Sequence, residues 1–346
     1  MIYKNVEFHN VAELIDNQDG SVSWKRVPSL VHGQMESKIA DNVVANSTGV
    51  ELRFVIKGES VTIKMSTVKN NEKSFGLFHV YRGEIQGGGK DHEAHLPVTD
   101  EVQEFVITKS ANFEMLDGIT EKSSYGFDSE VVRIIFDRGR YKIYDIIGEV
   151  EPPQQNQVPK KTILFYGSSI THGSFSMDMS HSWASVVGHN LNMDVRNLGM
   201  AGSCLLEPAF AEYIASQGEA DKWDIATLEL GINVLEWEDQ KIKTRVENMI
   251  KQVAGRNKEK PVFIISPFYH SGDDFNPNDR AKVWREIIKE EIERLNYKNV
   301  TYINGFEVLD HSRYITADGV HPNIYGVSRI AEVVTDKIKN GLKAEQ

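Results

Sequence analysis

The sequence predicts a chain of two parts, in which an all-β domain precedes an α/β domain built on a parallel sheet. Three observations lead to this prediction. In the first half, apolar and polar residues alternate in short stretches; in the second half, short apolar runs alternate with segments of helical periodicity. A polar, proline-containing segment separates the two halves. The length of 346 residues agrees with two domains.

Alternation identifies the strands of the first half. Apolar residues occupy every second position in residues 50–56 and 61–65, and the residues between them, 57–60, are typical of a turn. These stretches predict a hairpin with one buried face. Further short strands are expected at 78–81, 104–108, Val131–Phe136 and Tyr141–Ile147. Many short strands with few helices favour a β-sandwich or jelly roll over residues 1–152.

The second half, residues 161–346, begins after a linker at 153–160, which has no periodicity. Apolar runs of strand length occur at 162–166, 195–198, 225–230, 262–266 and 302–304. Helices are predicted at Trp183–Leu191, 238–254, 279–295 and 325–338. Strands that alternate with helices indicate a parallel sheet covered on both faces.

Composition excludes several classes of protein. The net charge of −11 argues against nucleic acid or an anionic membrane surface as the main partner. The one cysteine, Cys204, rules out an intramolecular disulfide and a cysteine-based metal cluster. We find no secretory signal at the N-terminus and no apolar stretch near the ~18–20 residues that span a bilayer. A cytoplasmic protein with a small-molecule partner is the expectation, and oligomerisation stays open.

The residues that follow the predicted strands are chemically suited to acyl transfer. Ligands bind at the carboxyl ends of parallel strands, and there the sequence has small and polar residues at 167–173, 199–203 and 231–233, with Asp-Gly-Val-His at 318–321. A serine on a strand-to-helix turn can be a nucleophile, and a histidine with a nearby aspartate can be its base. A glycine N–H and an asparagine amide can stabilise an oxyanion. Each pattern alone is more often a turn or a helix cap, so the prediction depends on their combination.

The order Gly-x-Ser, Gly, Gly-x-Asn and Asp-x-x-His resembles the block pattern of SGNH hydrolases, also called GDSL-type esterases, over about residues 160–340. Residues 166–171, Tyr-Gly-Ser-Ser-Ile-Thr, are similar to the motif of a branch that carries an N-terminal jelly-roll domain. The resemblance implies a flavodoxin-like, three-layer α/β/α catalytic domain with a parallel sheet, preceded by an all-β jelly-roll sandwich.

The resemblance also implies roles for individual residues. Ser169 matches the nucleophile, His321 the base and Asp318 the third member of the triad. The backbone N–H of Ser169, together with Gly202 and Asn233, matches the oxyanion hole. No metal and no organic cofactor is implied.

Two positions depart from the commonest family pattern. Ser168 stands where most members have an aspartate before the nucleophile, and Val234 replaces an aspartate after Gly-x-Asn. Both departures resemble the jelly-roll branch. From the residues alone, Ser168 and Ser169 are both candidate nucleophiles, and the resemblance favours Ser169.

The predicted activity is hydrolysis of small O-acyl esters. The resemblance implies a serine esterase that acts on O-acetyl groups of a carbohydrate or another polyol. An acyltransferase with the same triad and a non-catalytic carbohydrate-binding protein remain alternatives. Four residues near the strand ends are candidates for the substrate pocket, with core packing about equally compatible: Trp237, Phe268, Tyr269 and His270.

Overall fold

A computed structural model describes residues 1–68, 75–88 and 93–344, and the chain divides into two compact units. The β unit comprises Met1–Ser29, Val44–Lys160 and Asn192–Asp194, and the α/β unit comprises Leu30–Val43, Lys161–Leu191 and Val195–Gln346. The segment Leu30–Val43 therefore belongs to the α/β unit, although the sequence assigns it to the first domain.

The β unit is built from antiparallel strands. In chain order they are β1 Ile2–Tyr3, β2 Val6–His9, β3 Glu13–Asp16, β4 Val22–Lys25, β5 Glu51–Ile56, β6 Ser60–Thr67, β7 Phe75–Arg82, β8 Ile85–Gln86, β9 Leu96–Thr99, β10 Gln103–Thr108, β11 Val131–Phe136, β12 Tyr141–Ile147 and β13 Val150–Glu151. One sheet has the order β1-β2-β5-β11-β7-β8, with β13 on β5 and β9 on β7, and the other has the order β10-β6-β12-β4-β3. The first three helices of the chain are α1 Ser29–His32, α2 Ala40–Val44 and α3 Phe113–Ser123; α1 and α2 lie mainly within Leu30–Val43 of the α/β unit, and α3 belongs to the β unit.

The apolar core of the β unit lies between its two sheets. Leu52, Phe54 and Ile134 of the first sheet share one buried cluster with Ile63 and Met65 of the second. Each of these side chains is withdrawn from water, and burial of this kind contributes roughly 1.5–3 kcal/mol for a large apolar residue. The alternation seen in the sequence is thus the signature of two sheets that pack face to face.

The predicted hairpin of residues 50–56 and 61–65 is wrong. Strand β5 pairs with β2, β11 and β13, whereas β6 pairs with β10 and β12 in the other sheet. The turn between them carries the chain across the sandwich. Alternation shows which side of a strand is buried, but it does not identify the neighbouring strand.

The α/β unit contains a sheet with the order β15-β14-β16-β17-β18. Its strands are β14 Thr162–Gly167, β15 Asp194–Gly199, β16 Ile225–Glu229, β17 Val262–Ile265 and β18 Val300–Ile303. Its helices are α4 Ser169–His172, α5 Trp183–Leu191, α6 Pro208–Glu219, α7 Asp239–Arg256, α8 Gly272–Phe275, α9 Ala281–Leu295, α10 Gly305–Val308 and α11 Ile324–Ala344. The pairs β14–β16, β16–β17 and β17–β18 are parallel.

The strand order brings three loops together. Strand β14 lies between β15 and β16, so the chain changes direction across the sheet at β14. The helices form two groups, with α6 against α7 and α7 against α9 in one, and α5 against α11 in the other. A crevice at the carboxyl ends of the strands is expected where the strand order reverses. The segments that follow β14, β15 and β16 therefore converge.

Apolar stripes attach the long helices to the sheet. In α9 the predicted residues Trp284, Ile287, Ile288 and Ile292 are all buried. The helix α6, which the sequence did not predict, starts at a proline, as is common at a first helical turn. Of the described helices, none combines the length and the apolar character that a bilayer crossing requires.

Candidate active site

Ser169 lies at a tight turn between strand β14 and the short helix α4. The strand ends at Gly167, Ser168 caps the helix, and Ser169 is its first residue. The Ser168 hydroxyl accepts a hydrogen bond from the N–H of Ile170 at 3.1 Å, which satisfies a backbone donor of the first turn. Ser169 is 8% exposed, so its hydroxyl lies in a nearly buried position beyond the carboxyl end of β14.

His321 and Asp318 complete a hydrogen-bonded row with Ser169. The Ser169 hydroxyl is 2.7 Å from Nε2 of His321, and Nδ1 of His321 is 2.7 Å from Oδ2 of Asp318. An ionised carboxylate only accepts hydrogen bonds, so Nδ1–H donates to Asp318 and Nε2 is left to accept the proton of Ser169. This is the arrangement that activates a serine for nucleophilic attack.

Hydrogen bonds within the loop keep Asp318 ionised. Oδ1 of Asp318 accepts from the N–H groups of Val320 and His321 and from the Thr316 hydroxyl, at 2.8–3.0 Å. Partial burial raises the pKa of Asp318, but these donors and the His321 side chain lower it more, so its pKa lies well below the ordinary value. Asp318 therefore carries the negative charge that stabilises a protonated His321.

The residues predicted for the oxyanion hole lie on the two neighbouring loops. Gly202 has φ +62°, a left-handed conformation, in the loop after β15, and the N–H of Met200 ties this loop to the Gly167 carbonyl at 2.8 Å. Asn233 lies in the turn after β16, where its Oδ1 accepts from the Cys204 N–H at 3.2 Å. That bond leaves Nδ2 as the end of the amide that can donate to an oxyanion.

The four candidate pocket residues have different environments. Trp237 is half-buried, and Nζ of Lys241 lies 3.8 Å from the centre of its ring. The other three are buried, and polar groups of each form hydrogen bonds within the same unit. Arg285 donates to the Phe268 carbonyl, Tyr269 donates to Asp274, and His270 lies 3.2 Å from Asp279. Of the four, Trp237 has the most surface for a substrate.

Three residues near the predicted site are not predicted from the sequence. Glu229, at the end of β16, is fully buried and bonds to Ser168. The ring of Phe175 lies 5.0 Å from the ring of His321. Ile39 lies next to Gly202: a Cβ atom built on Gly202 would be 3.1 Å from Cδ1 of Ile39. Only Glu229 has a signal in the sequence, because it is an acidic residue inside an apolar run.

Comparison with known proteins identifies similar sequences and folds. Residues 160–339 match the family described as the GDSL-like Lipase/Acylhydrolase family. No curated protein matches the sequence at a significant level.

Three solved structures illustrate the likeness of fold. The salicylyl-acyltransferase SsfX3 from a tetracycline biosynthetic pathway has 17% identity and a TM-score of 0.72, over 95% of this chain and 92% of that one. A family two carbohydrate esterase from Cellvibrio japonicus has 12% identity and a TM-score of 0.65, over 99% and 97%. An acetyl xylan esterase from the rumen bacterium Butyrivibrio proteoclasticus has 12% identity and a TM-score of 0.57, over 86% and 92%. Identities this low are evidence of a shared fold only.

Proposed function

Because the chain belongs to the GDSL-like lipase/acylhydrolase family, we propose that it is a serine esterase that hydrolyses small O-acyl esters through Ser169, His321 and Asp318. The observation that carries the proposal is the continuous row of hydrogen bonds, 2.7 Å from Ser169 to His321 and 2.7 Å from His321 to Asp318. Family membership supports the class of reaction, and this row of hydrogen bonds supports the choice of residues.

The proposed reaction has two steps. In the first, His321 takes the proton of Ser169 while the serine oxygen attacks the ester carbonyl; the imidazolium then returns that proton to the departing alcohol, which leaves an acyl-serine. In the second, His321 takes a proton from water, the hydroxide attacks the acyl-serine, and the acid is released as the proton returns to Ser169. The N–H groups of Ser169 and Gly202 and the amide of Asn233 stabilise both oxyanions.

An acetyl group on a carbohydrate or another polyol is the proposed substrate. Two of the similar structures are a carbohydrate esterase and an acetyl xylan esterase, which supports this assignment. The antiparallel sandwich before the α/β unit supports placement in the jelly-roll branch. Under that assignment the jelly-roll domain is residues 1–152 without Leu30–Val43, the linker is 153–160 and the catalytic domain is 161–346.

An acyltransferase with the same residues is the second candidate, favoured by the likeness to a salicylyl-acyltransferase along 95% of the chain. In that reaction an alcohol replaces water in the second step. The side chains of His321 and Asp318 are 21% and 39% exposed, which gives water access to the base and favours hydrolysis.

The test is turnover of p-nitrophenyl acetate and p-nitrophenyl butyrate by the wild type, Ser168→Ala and Ser169→Ala. We expect hydrolysis by the wild type and Ser168→Ala, a preference for acetate, and none above background with Ser169→Ala. New esters formed only when alcohols are added would favour the transferase. If the wild type neither hydrolyses nor transfers acyl groups, the esterase proposal is rejected and glycan binding by the protein becomes the next measurement.

A further inference from the structure

A carboxyl group is buried directly beneath the turn that carries the proposed nucleophile. Glu229 is the last residue of β16, which neighbours β14 in the sheet, and its side chain is fully buried. We propose that Glu229 is a positioning residue, which holds the turn around Ser169 in place. This inference rests on the proposed function, since it concerns the geometry of Ser169.

One oxygen of Glu229 receives hydrogen bonds from both sides of Ser169. Oε2 accepts from the N–H and the hydroxyl of Ser168, each at 2.7 Å, and from the hydroxyl of Thr171 at 3.1 Å. The Ser168 hydroxyl also accepts from the N–H of Ile170. The carboxyl group thus fixes the residue before Ser169 and the residue two positions after it.

The space around this oxygen is closed. A Cβ atom on Gly167 would lie 2.6 Å from Oε2 of Glu229 and 2.3 Å from Oγ1 of Thr171. The strand therefore passes the carboxyl group at a distance that only glycine allows. The carboxyl group cannot shift without displacing the end of β14. Its hydrogen bonds therefore hold Ser168 and Thr171, on either side of Ser169, at a fixed position relative to β16.

The other oxygen of Glu229 takes no part in these hydrogen bonds. Oε1 of Glu229 has no hydrogen-bond partner among the described residues, so the contacts to the turn all involve Oε2. Burial raises the pKa of Glu229, and the hydrogen bonds from Ser168 and Thr171 oppose this only in part. Burial also raises the pKa of the nearby Cys204 and Tyr166.

The position of Glu229 also bears on the departure at Ser168. The resemblance implies an aspartate before the nucleophile in most members, and here that position has a hydroxyl bonded to a carboxyl group from the adjacent strand. The acidic group is thus supplied from β16. Its effect on the reaction is geometric, because a displacement of about 1 Å at a catalytic group can lower the rate roughly 10²-fold.

The experiment compares Glu229→Ala, Glu229→Gln and a control, Glu291→Ala, with p-nitrophenyl acetate. Glu291 is a buried glutamate of α9 away from the turn. In Glu229→Ala we expect kcat to fall roughly 10- to 100-fold with KM little changed, since the serine is misplaced but substrate contacts remain. In Glu229→Gln the amide oxygen accepts the same bonds, so kcat should stay within about 3-fold of the wild type with the same pH profile. Glu291→Ala should keep the wild-type kcat.

Two results would overturn the inference: a folded Glu229→Ala variant with the wild-type kcat, or a Glu229→Gln variant as impaired as Glu229→Ala. If Glu229→Ala does not fold, Thr171→Val replaces it; we expect a smaller drop in kcat at constant KM, and an unchanged kcat would reject the proposal. The rate of labelling by an organophosphorus probe separates this inference from the proposed function. A wild type that neither turns over esters nor reacts with the probe contradicts the esterase itself, whereas a reactive wild type with an equally reactive Glu229→Ala contradicts only the positioning role.

Discussion

The two ends of the proposed triad are held in place by different means. Ser169 belongs to α4, every residue of which is buried, whereas Asp318 and His321 lie on a turn that is open to solvent. The sheet and a buried carboxyl group fix the first end; hydrogen bonds within the turn itself fix the second. Changes around Ser169 should therefore affect both stability and rate, and changes in the Asp318–His321 turn should affect mainly rate.

The largest expected loss of activity follows from removing Ser169 or His321, one residue from each end of the proposed triad. Ser169→Ala and His321→Ala should each lower kcat for p-nitrophenyl acetate by about 10⁴-fold or more, because each removes an indispensable partner in proton transfer. The double variant should be no slower than either single variant, since the residues act as a unit. Steady-state kinetics on all three proteins tests this. Losses that multiply in the double variant would mean that the two ends act independently.

The next largest loss of activity is expected from a change confined to the exposed Asp318–His321 turn. Asp318→Asn should lower kcat by about 10²- to 10⁴-fold, because an asparagine removes the charge that stabilises protonated His321. Thr316→Val removes one hydrogen bond to Asp318 and serves as the milder comparison, with an expected loss of under about 10-fold. Melting temperatures should change little in both. Asp318→Asn with full activity would remove Asp318 from the mechanism.

The lowered pKa of Asp318 gives this comparison a pH dependence. A lowered pKa means that the folded protein keeps the carboxylate charged at pH values near ~3.9, where an ordinary aspartate is half protonated. Loss of activity on mild acidification should then not come from Asp318. Its titration, followed by NMR of the side-chain carboxyl carbon, should occur below the ordinary range; a midpoint near ~3.9 would contradict the hydrogen-bond pattern.

Substitutions of Gly167, near Ser169, and Gly319, near His321, compare how much stability each end of the proposed triad loses. Gly167→Ala places a Cβ 2.3 Å from Thr171 and 2.6 Å from Glu229 inside the core, and we expect a loss of about 3 kcal/mol in the free energy of unfolding. A Cβ on Gly319, at φ +78°, would lie 2.4 Å from Oγ and 2.9 Å from Cβ of Ser271; the hydroxyl can rotate away, and for the left-handed backbone and the remaining contact we expect a loss of about 1–2 kcal/mol. Urea denaturation measures both. A larger loss for Gly319→Ala would reverse the proposed contrast.

The sequence predicts the Asp318–His321 turn and the secondary structure around Ser169. It does not predict the side-chain contacts around Ser169 as well. Strands Val131–Phe136 and Tyr141–Ile147 and helix Trp183–Leu191 have the predicted bounds, because periodicity is local information. The residues after β14, β15 and β16 converge as expected, since parallel strands end at one edge. Glu229 and Leu30–Val43 were not placed at the site, because their neighbours are distant in the chain. The pairing of β5 failed for the same reason.

The segment Leu30–Val43 borders the proposed oxyanion hole and is held there by polar contacts. The hydroxyl of Ser37 is 2.7 Å from that of Ser203, and Glu36 forms an ion pair with Arg245 of α7. These contacts place Ile39 beside Gly202, with 48% of its surface still exposed. An apolar side chain that is open to solvent next to a proposed oxyanion donor can contact the acyl group of a bound ester.

The smallest expected effect follows from this contact. Ile39→Ala should enlarge the space beside Gly202 and raise the butyrate-to-acetate ratio of kcat/KM by about 3- to 10-fold, which is the discrimination that a small change in an apolar pocket provides. Leu30→Ala is the matched control, because Leu30 lies on the same segment but is 80% exposed. Selectivity for acetate is thus expected to depend on a segment that precedes the catalytic motifs by more than a hundred residues. A ratio that stays constant in Ile39→Ala, measured with the two p-nitrophenyl esters, would show that the acyl group binds on another side of Ser169.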